Sequence, residues 1–351
     1  MDKRKIGILK HAFLKDPYKK PIILMVFELF KLWIYKKTLP RHYLVNMLYR
    51  KGIGNIQKYL STKENNQILA WSQKMGRASL KQSEDKAIFE ELLKKNNIRT
   101  PKIYLFNREN TFFYSEGKRC IKDHHQLSDI IEAIFEKENV LALFCKPTMG
   151  NQGKNIFKIG IQDYRERIQE YFDKIISYGY VFQEVVQQHR SLDKINPYNL
   201  CTLRMVTYKD AKNHIEILSG FIRFGRKEAI VDNAHAGGIV VGFDRDTGIL
   251  RKDGLRLIEN GGGVFHQHPD TLERFEGFRL PRYDEVISIV KKAAPLFDFP
   301  ILGWDVAITN DAVVIVEVNQ ALHLMLSDRI EGGYLKNPTF KEILEAVQSP
   351  G

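Results

Sequence analysis

Cysteine is scarce. Cys120, Cys145 and Cys201 are the only three in the chain, far apart and without paired spacing. That argues against a disulfide framework or a zinc site, and for a reducing compartment. Long hydrophobic runs are missing too. The most apolar stretch, residues 22–30, is short, contains Glu28 and is followed by Lys31, so neither a spanning helix nor a secretory signal is expected. No internal repeat and no low-complexity linker breaks the chain, no Ser-His-Asp or Cys-His arrangement points to a hydrolase, and no Walker-type phosphate loop occurs.

Acidic residues are scarce at one end only. The formal net charge is +12, yet residues 1–60 hold 14 Lys/Arg against 3 Asp/Glu, which leaves 40 against 39 for the rest. The basicity therefore belongs to the N-terminal segment, and no specific nucleic-acid partner is implied. With 351 residues, 44% apolar and 27% charged, the chain has the composition of a soluble globular protein of one large or two moderate domains. Residues 1–80 read as a basic helical extension, leaving 81–351 for the main domain. Trp33 and Tyr35 stand beside lysines, the composition of an interfacial anchor on an anionic membrane surface. A helix packed on the main domain with solvated lysines is the other reading, and the sequence leaves both open.

The rest of the chain is organised around residues 301–319. Apolar and β-branched residues alternate on either side of Asn310-Asp311-Ala312, which predicts two strands and a tight turn. With Asp311 as pivot, Asp305 stands opposite Glu317 and Gly303 opposite Asn319. Leu302, Trp304, Val306 and Ile308 then form a core face with Val314, Val316 and Val318. The other face carries Asp305, Glu317 and Asn319, since residues two apart point the same way. Facing carboxylates repel, and a magnesium ion between them would reverse the sign. The alternative is a polar outer face of a hairpin.

Upstream, an apolar strand over 141–145 delivers Lys146 to a loop with Gly150 and Gly153. Lys154 then precedes a second strand over 156–159. Glycines let backbone N–H groups approach phosphate oxygens, and flanking lysines neutralise their charge; a plain hairpin loop has the same signature. A helix over 83–97, capped by Ser83 or Asp85, precedes a strand over 102–106. A strand over 180–188 carries Gln183 and Glu184, the latter able to accept from an amino group such as that of adenine or to be an edge-strand carboxylate. Strands over 200–208 and 215–224 carry Arg204 and Arg223, whose charges in apolar strands need acidic partners, from the protein or from a ligand's phosphates. Asn233 and His235 precede Gly237-Gly238, a loop suited to lie close to a ligand. His266 and His268 have the spacing of a metal pair but no third ligand in view.

In this order the pieces resemble the ATP-grasp superfamily. The strings TLRMVTY, VDNAHAGGI, HPDTLERFEGF and LGWDVAIT are similar more narrowly to the sugar-transfer associated ATP-grasp family of bacterial surface-polysaccharide loci, over roughly residues 83–319. The resemblance implies an α+β ATP-grasp fold, with two subdomains closing over ATP. It implies ATP phosphates on Lys146 and Lys154 near Gly150 and Gly153, and adenine read by Gln183, Glu184 and the backbone that follows, including Val186. Asn233 and His235 would lie near the nucleotide. Magnesium would sit on Asp305, Glu317 and Asn319, with Arg204, Arg223 and Lys154 as catalytic residues. The implied chemistry is ADP-forming ligation of a carboxylate to an amine through an acyl phosphate, on substrates that are sugar-linked or peptide-like. A kinase acting on a hydroxyl, and a non-catalytic membrane- or polyanion-binding module, are the alternatives. Two features depart from the family pattern: Gln320-Ala321-Leu322-His323 replaces a Pro- or Gly-bearing turn after the metal Asn, and a basic helical segment stands where a Rossmann-like lead domain is common.

Overall fold

The computed structural model describes residues 3–150, 155–228 and 237–348. Short β-rich segments early in the chain form one sheet and the longer, more apolar ones form another. β1 (Ile103–Arg108), β2 (Thr111–Tyr114), β3 (Gly117–Cys120), β4 (Ala142–Pro147), β5 (Phe157–Gly160) and β6 (Tyr180–Glu184) pair in the order β3-β2-β1-β6-β4-β5. β7 (Thr202–Lys209), β8 (Ile215–Phe224), β9 (Ile239–Phe243), β10 (Leu250–Leu255), β11 (Val264–Phe265), β12 (Ile301–Ile308) and β13 (Val313–Asn319) pair in the order β11-β10-β9-β8-β7-β12-β13. Neighbouring strands are antiparallel in both sheets.

Helices precede and cover these sheets. α1 (Lys3–Lys15), α2 (Ile22–Lys36) and α3 (Arg41–Val45) form the N-terminal segment, followed by α4 (Thr62–Met75), α5 (Leu80–Glu84) and α6 (Lys86–Lys95). α7 (His124–Glu138) and α8 (Tyr164–Tyr178) cover the small sheet, burying Leu127, Ile131, Phe135 and Ile168 against Leu105, Leu143, Cys145 and Phe182. Each such side chain contributes about 1.5–3 kcal/mol by leaving water. α9 (Tyr283–Ala293) lays Val286 and Val290 on Trp304, Leu203 and Ile222 of the large sheet. On the opposite face, α4 and α11 (Pro338–Gln348) pack Ile68, Phe340 and Ile343 against Val206, Leu218 and Ile301, with α10 (Met325–Glu331) alongside. Leu60 joins this core, so residues 60–79 are packed on the large sheet. The helical segment before them has its own small core, including Leu9, Met25, Leu32, Tyr43 and Tyr49. No described helix is long and apolar enough to cross a membrane.

Several local expectations need correction. The strand expected to reach Gln188 ends at Glu184. The helix expected over 83–97 is split: Ser83 lies inside α5, and Asp85 caps α6 by accepting from the Ala87 and Ile88 N–H groups.

The hairpin differs at its tip. Val313 pairs with Ile308, Val314 with Ala307 and Ile315 with Val306, so the turn centres between Asn310 and Asp311 rather than on Asp311. The Thr309 hydroxyl holds it by accepting from the Asp311 and Ala312 N–H groups. A β-bulge then places Val316 as an extra residue before Glu317 returns opposite Asp305 and Asn319 opposite Gly303. Val313 and Ile315, not Val314 and Val316, therefore share the core with Val306 and Ile308, joined beyond the bulge by Val318.

Candidate active site

The bulge decides what the site contains. Without the extra residue, Val316 would oppose Asp305 and Glu317 would turn toward the core, because one residue of slip moves every side chain to the other face. Bulges bend a strand and re-aim a side chain in this way, often beside functional sites.

β7 supplies the next contact. Arg204 is paired in register with Asp305, and its Nε and Nη2 donate to Asp305 Oδ1 and Oδ2 at 2.5 and 3.1 Å. Arg223, one strand further, places Nη2 2.9 Å from Asp305 Oδ2 and donates from Nε to Thr202 Oγ1 at 3.0 Å. The acidic partner both arginines require is thus a protein carboxylate. Asp305 is 5% exposed. Burial pushes its carboxyl up, and the Arg204 and Arg223 guanidiniums more than offset this, holding it below the usual carboxylate range.

The small sheet faces this group across a cleft. Cross-strand pairing puts Lys146 beside Val181 and Phe144 beside Gln183, so Lys146 and Gln183 share the face opposite the helix-covered core. Lys86, Lys146, Gln183 and Glu317 line one cleft, with strands of both sheets as its walls. Burial lowers the Lys146 ammonium to about 8; Glu317 pulls it back up, Lys86 pushes it down, and Asp305 acts more weakly. Burial also lowers Lys86, against the nearby Glu317 and Asp85 carboxylates. Lys86 Nζ donates to Gly150 O at 2.8 Å, tying α6 to the start of the glycine loop. Gly150 adopts a φ of +100, which a side chain would strain.

Glu184 falls on the other face of β6, at its end, where it accepts from Lys102 N at 3.2 Å and from Arg99 Nη2 at 3.4 Å. Val186 lies half-buried in the connection from β6 to His189, whose N–H donates to Ile308 O of the large sheet. Gly153, Lys154, Asn233 and His235 lie outside the described residues. His266 and His268 part company: His266 is exposed beside Asp253, while His268 is buried with Nε2 3.0 Å from Gly225 O.

Lys86 and Thr202 were not singled out from the sequence. A signal for Lys86 existed. Its cation occupies the first turn of α6, where the helix dipole disfavours positive charge. Thr202 carries no comparable local mark.

The donor set can be tested against magnesium. Among the described residues no cluster of three or more His, Cys, Asp or Glu could hold a metal ion. Glu317 and Asn319 share a face of β13, and their oxygens are of the type magnesium accepts beside phosphates and water. Both Asp305 oxygens, by contrast, already receive guanidinium groups. The residues fit a hard cation at Glu317 and Asn319, with Asp305 as the arginines' counter-ion.

No curated protein matches the chain. Among solved structures, the RimK domain ATP-grasp protein from Sphaerobacter thermophilus is 13% identical with a TM-score of 0.42, covering 78% of this chain and 70% of that one. D-cycloserine synthetase DcsG is 10% identical with a TM-score of 0.45, covering 82% and 80%. The ATP-grasp ligase PsnB, complexed with minimal precursor, is 15% identical with a TM-score of 0.39, covering 77% and 61%. These likenesses are too distant to bear on substrate. The family model for sugar-transfer associated ATP-grasp proteins, by contrast, matches residues 72–339, which takes in both sheets and the cleft between them. The chain belongs to the sugar-transfer associated ATP-grasp family and is an ATP-grasp enzyme.

Proposed function

We propose that the chain is an ATP- and magnesium-dependent, ADP-forming ligase that joins a carboxylate to an amine. Its substrate would be a sugar or amino-acid carboxylate in bacterial surface-polysaccharide biosynthesis, and its place the inner face of an anionic membrane, met through residues 1–60. One observation carries the reading: Lys86 and Lys146 converge beside Glu317 on a cleft walled by strands of both sheets, and burial lowers both ammoniums. A buried ammonium is costly by itself, and the oxygens of a polyanionic substrate such as a nucleoside triphosphate relieve that cost.

In this reading Lys86 and Lys146 neutralise phosphate oxygens, with Lys154 beside Gly153 completing the grip. Gln183 and the backbone from Glu184 through Val186 hold the base, with the Glu184 carboxylate at its edge, and Asn233 and His235 lie near the ligand. Glu317 and Asn319 would hold magnesium, which when bound draws charge from the phosphate oxygens. Arg204 and Arg223, steered by Asp305, stabilise the charge that spreads during transfer. The substrate carboxylate attacks the γ-phosphorus and ADP leaves; the amine then displaces phosphate from the acyl phosphate.

The test is ADP release with candidate carboxylates crossed against amino acids. Release that requires both an acid and an amine is expected. Release supported by a hydroxyl acceptor without any amine would replace ligation with kinase chemistry. A chain that shows no magnesium-dependent ATP binding would be a non-catalytic module.

A further inference from the structure

α2 presents an arrangement that its sequence shows only in part. Met25, Glu28, Leu32 and Lys36 recur at helical spacing and form the stripe that faces the protein: Met25 and Leu32 are buried, and Glu28 and Lys36 are partly covered. Both charges on that stripe are satisfied internally. Lys20 Nζ lies 2.7 Å from Glu28 Oε1 and the Tyr43 hydroxyl donates to Glu28 Oε2, while Lys36 Nζ lies 2.8 Å from Glu64 Oε2. The opposite stripe, Ile23, Phe27, Phe30 and Ile34, is 85%, 61%, 56% and 56% exposed. Trp33 flanks it, also exposed, with its ring 6.1 Å from that of Phe30. Lys31 is the one charge on the outward side, and exposed Lys37 and Arg41 follow the helix.

We propose that α2 is an interfacial membrane anchor, lying in the plane of an anionic bilayer with Ile23, Phe27, Phe30 and Ile34 inserted at the boundary between headgroups and acyl chains. The inference rests on the membrane reading of residues 1–60 and deepens it by naming the helix and the face that enter the bilayer. A 15-residue helix is about 22 Å long, short of the roughly 30 Å hydrocarbon core, so it lies on the bilayer instead of spanning it. An unbroken apolar stripe of this extent on a monomer marks a binding face. Charge selects the occupant. Two copies meeting through α2 would bring together two segments that each hold 14 basic against 3 acidic residues, whereas anionic headgroups complement them. The internal pairing of Glu28 matters here, because a free carboxylate on α2 would oppose that attraction.

The experiment uses the full chain and a variant carrying Ile23→Gln, Phe27→Gln, Phe30→Gln and Ile34→Gln. All four positions are exposed, and glutamine keeps helix propensity, so the fold is retained. Flotation is measured with vesicles containing phosphatidylglycerol and with vesicles of phosphatidylcholine alone. Wild type should float with the anionic vesicles, the variant should lose at least about tenfold in partitioning, and brominated lipid should quench Trp33 fluorescence in a signal that Trp33→Phe removes. Equal flotation of variant and wild type with anionic vesicles would overturn insertion while leaving electrostatic attraction standing. No preference for anionic vesicles would overturn the membrane reading beneath it. A wild-type dimer in solution that the variant dissolves, without vesicle binding, would assign the stripe to a second copy. ATP binding is followed in parallel, and its failure would speak against the ligase reading alone.

Discussion

Asp305 and Glu317 face each other across one pair of strands, yet they do different work. Asp305 is nearly inaccessible and neutralises two guanidiniums, so removing its charge breaks a buried ion pair with each of Arg204 and Arg223. Asp305→Asn should cost about 3–5 kcal/mol of stability in denaturant unfolding. Because the arginines hold its carboxyl below the usual range, this contribution is present at neutral pH and is lost as pH falls through that lowered value. Glu317→Gln should instead lower stability far less and abolish magnesium-dependent turnover. A Glu317→Gln chain as unstable as Asp305→Asn would mean that both carboxylates are structural. Lys146 invites a titration. Its ammonium is charged below about 8 and neutral above, so ATP affinity should fall as pH rises through that value. Lys146→Arg should remove the inflection, since arginine stays protonated. Lys146→Ala should weaken ATP binding by about 10- to 100-fold at neutral pH, the worth of one charge-assisted contact. Calorimetric ATP titrations across the pH range check wild type and both variants.

Among the elements, α4 links the N-terminal segment to the end of β13. Its N-cap Ser61 and Glu64 form a reciprocal capping box, and Glu64 also holds Lys36 of α2. Further along, Asn65 Oδ1 accepts from Leu324 N, Gln73 reaches Gln320, and the Ser72 hydroxyl donates to Ile301 O and accepts from Ile301 N. The segment 320–324 is therefore held by side chains of α4. α4 ends at Gly76, where nothing larger fits: a Cβ would stand 2.0 Å from the ring of Phe299, itself in the core. Gly76→Ala should lower stability by about 1–3 kcal/mol through overpacking, as read by chemical denaturation. Unchanged stability would mean that the Phe299 ring can move aside. The hairpin teaches a related point. Its far pairing was legible because Asp305, Glu317 and Asn319 keep a period of two. The bulge was not, since Val313 to Val316 are all apolar and alternation cannot mark which of them face the core.

Across the whole molecule, charge divides the protein into a basic N-terminal segment and a nearly balanced remainder. Exposed charges are screened over about 8 Å at physiological ionic strength, and buried ones much less. Raising salt from about 0.05 to 0.5 M should therefore release the chain from anionic vesicles while changing ATP affinity far less. Co-sedimentation and ATP titration in the same buffers check this, and parallel losses would place both ligands on exposed charge. The sequence by itself determined the α+β class, the basic helical start, the hairpin that sets Asp305 against Glu317, and the need of Arg204 and Arg223 for acidic partners. These follow from short-range periodicity and from the cost of an unpaired buried charge. Tertiary structure alone decided that the partner is Asp305, about a hundred positions away from Arg204, that Lys86 reaches Gly150, and that Glu184 leaves the face of Lys146. It also decided which side of α2 stays bare, because pairing and packing between distant segments are not carried by local alternation.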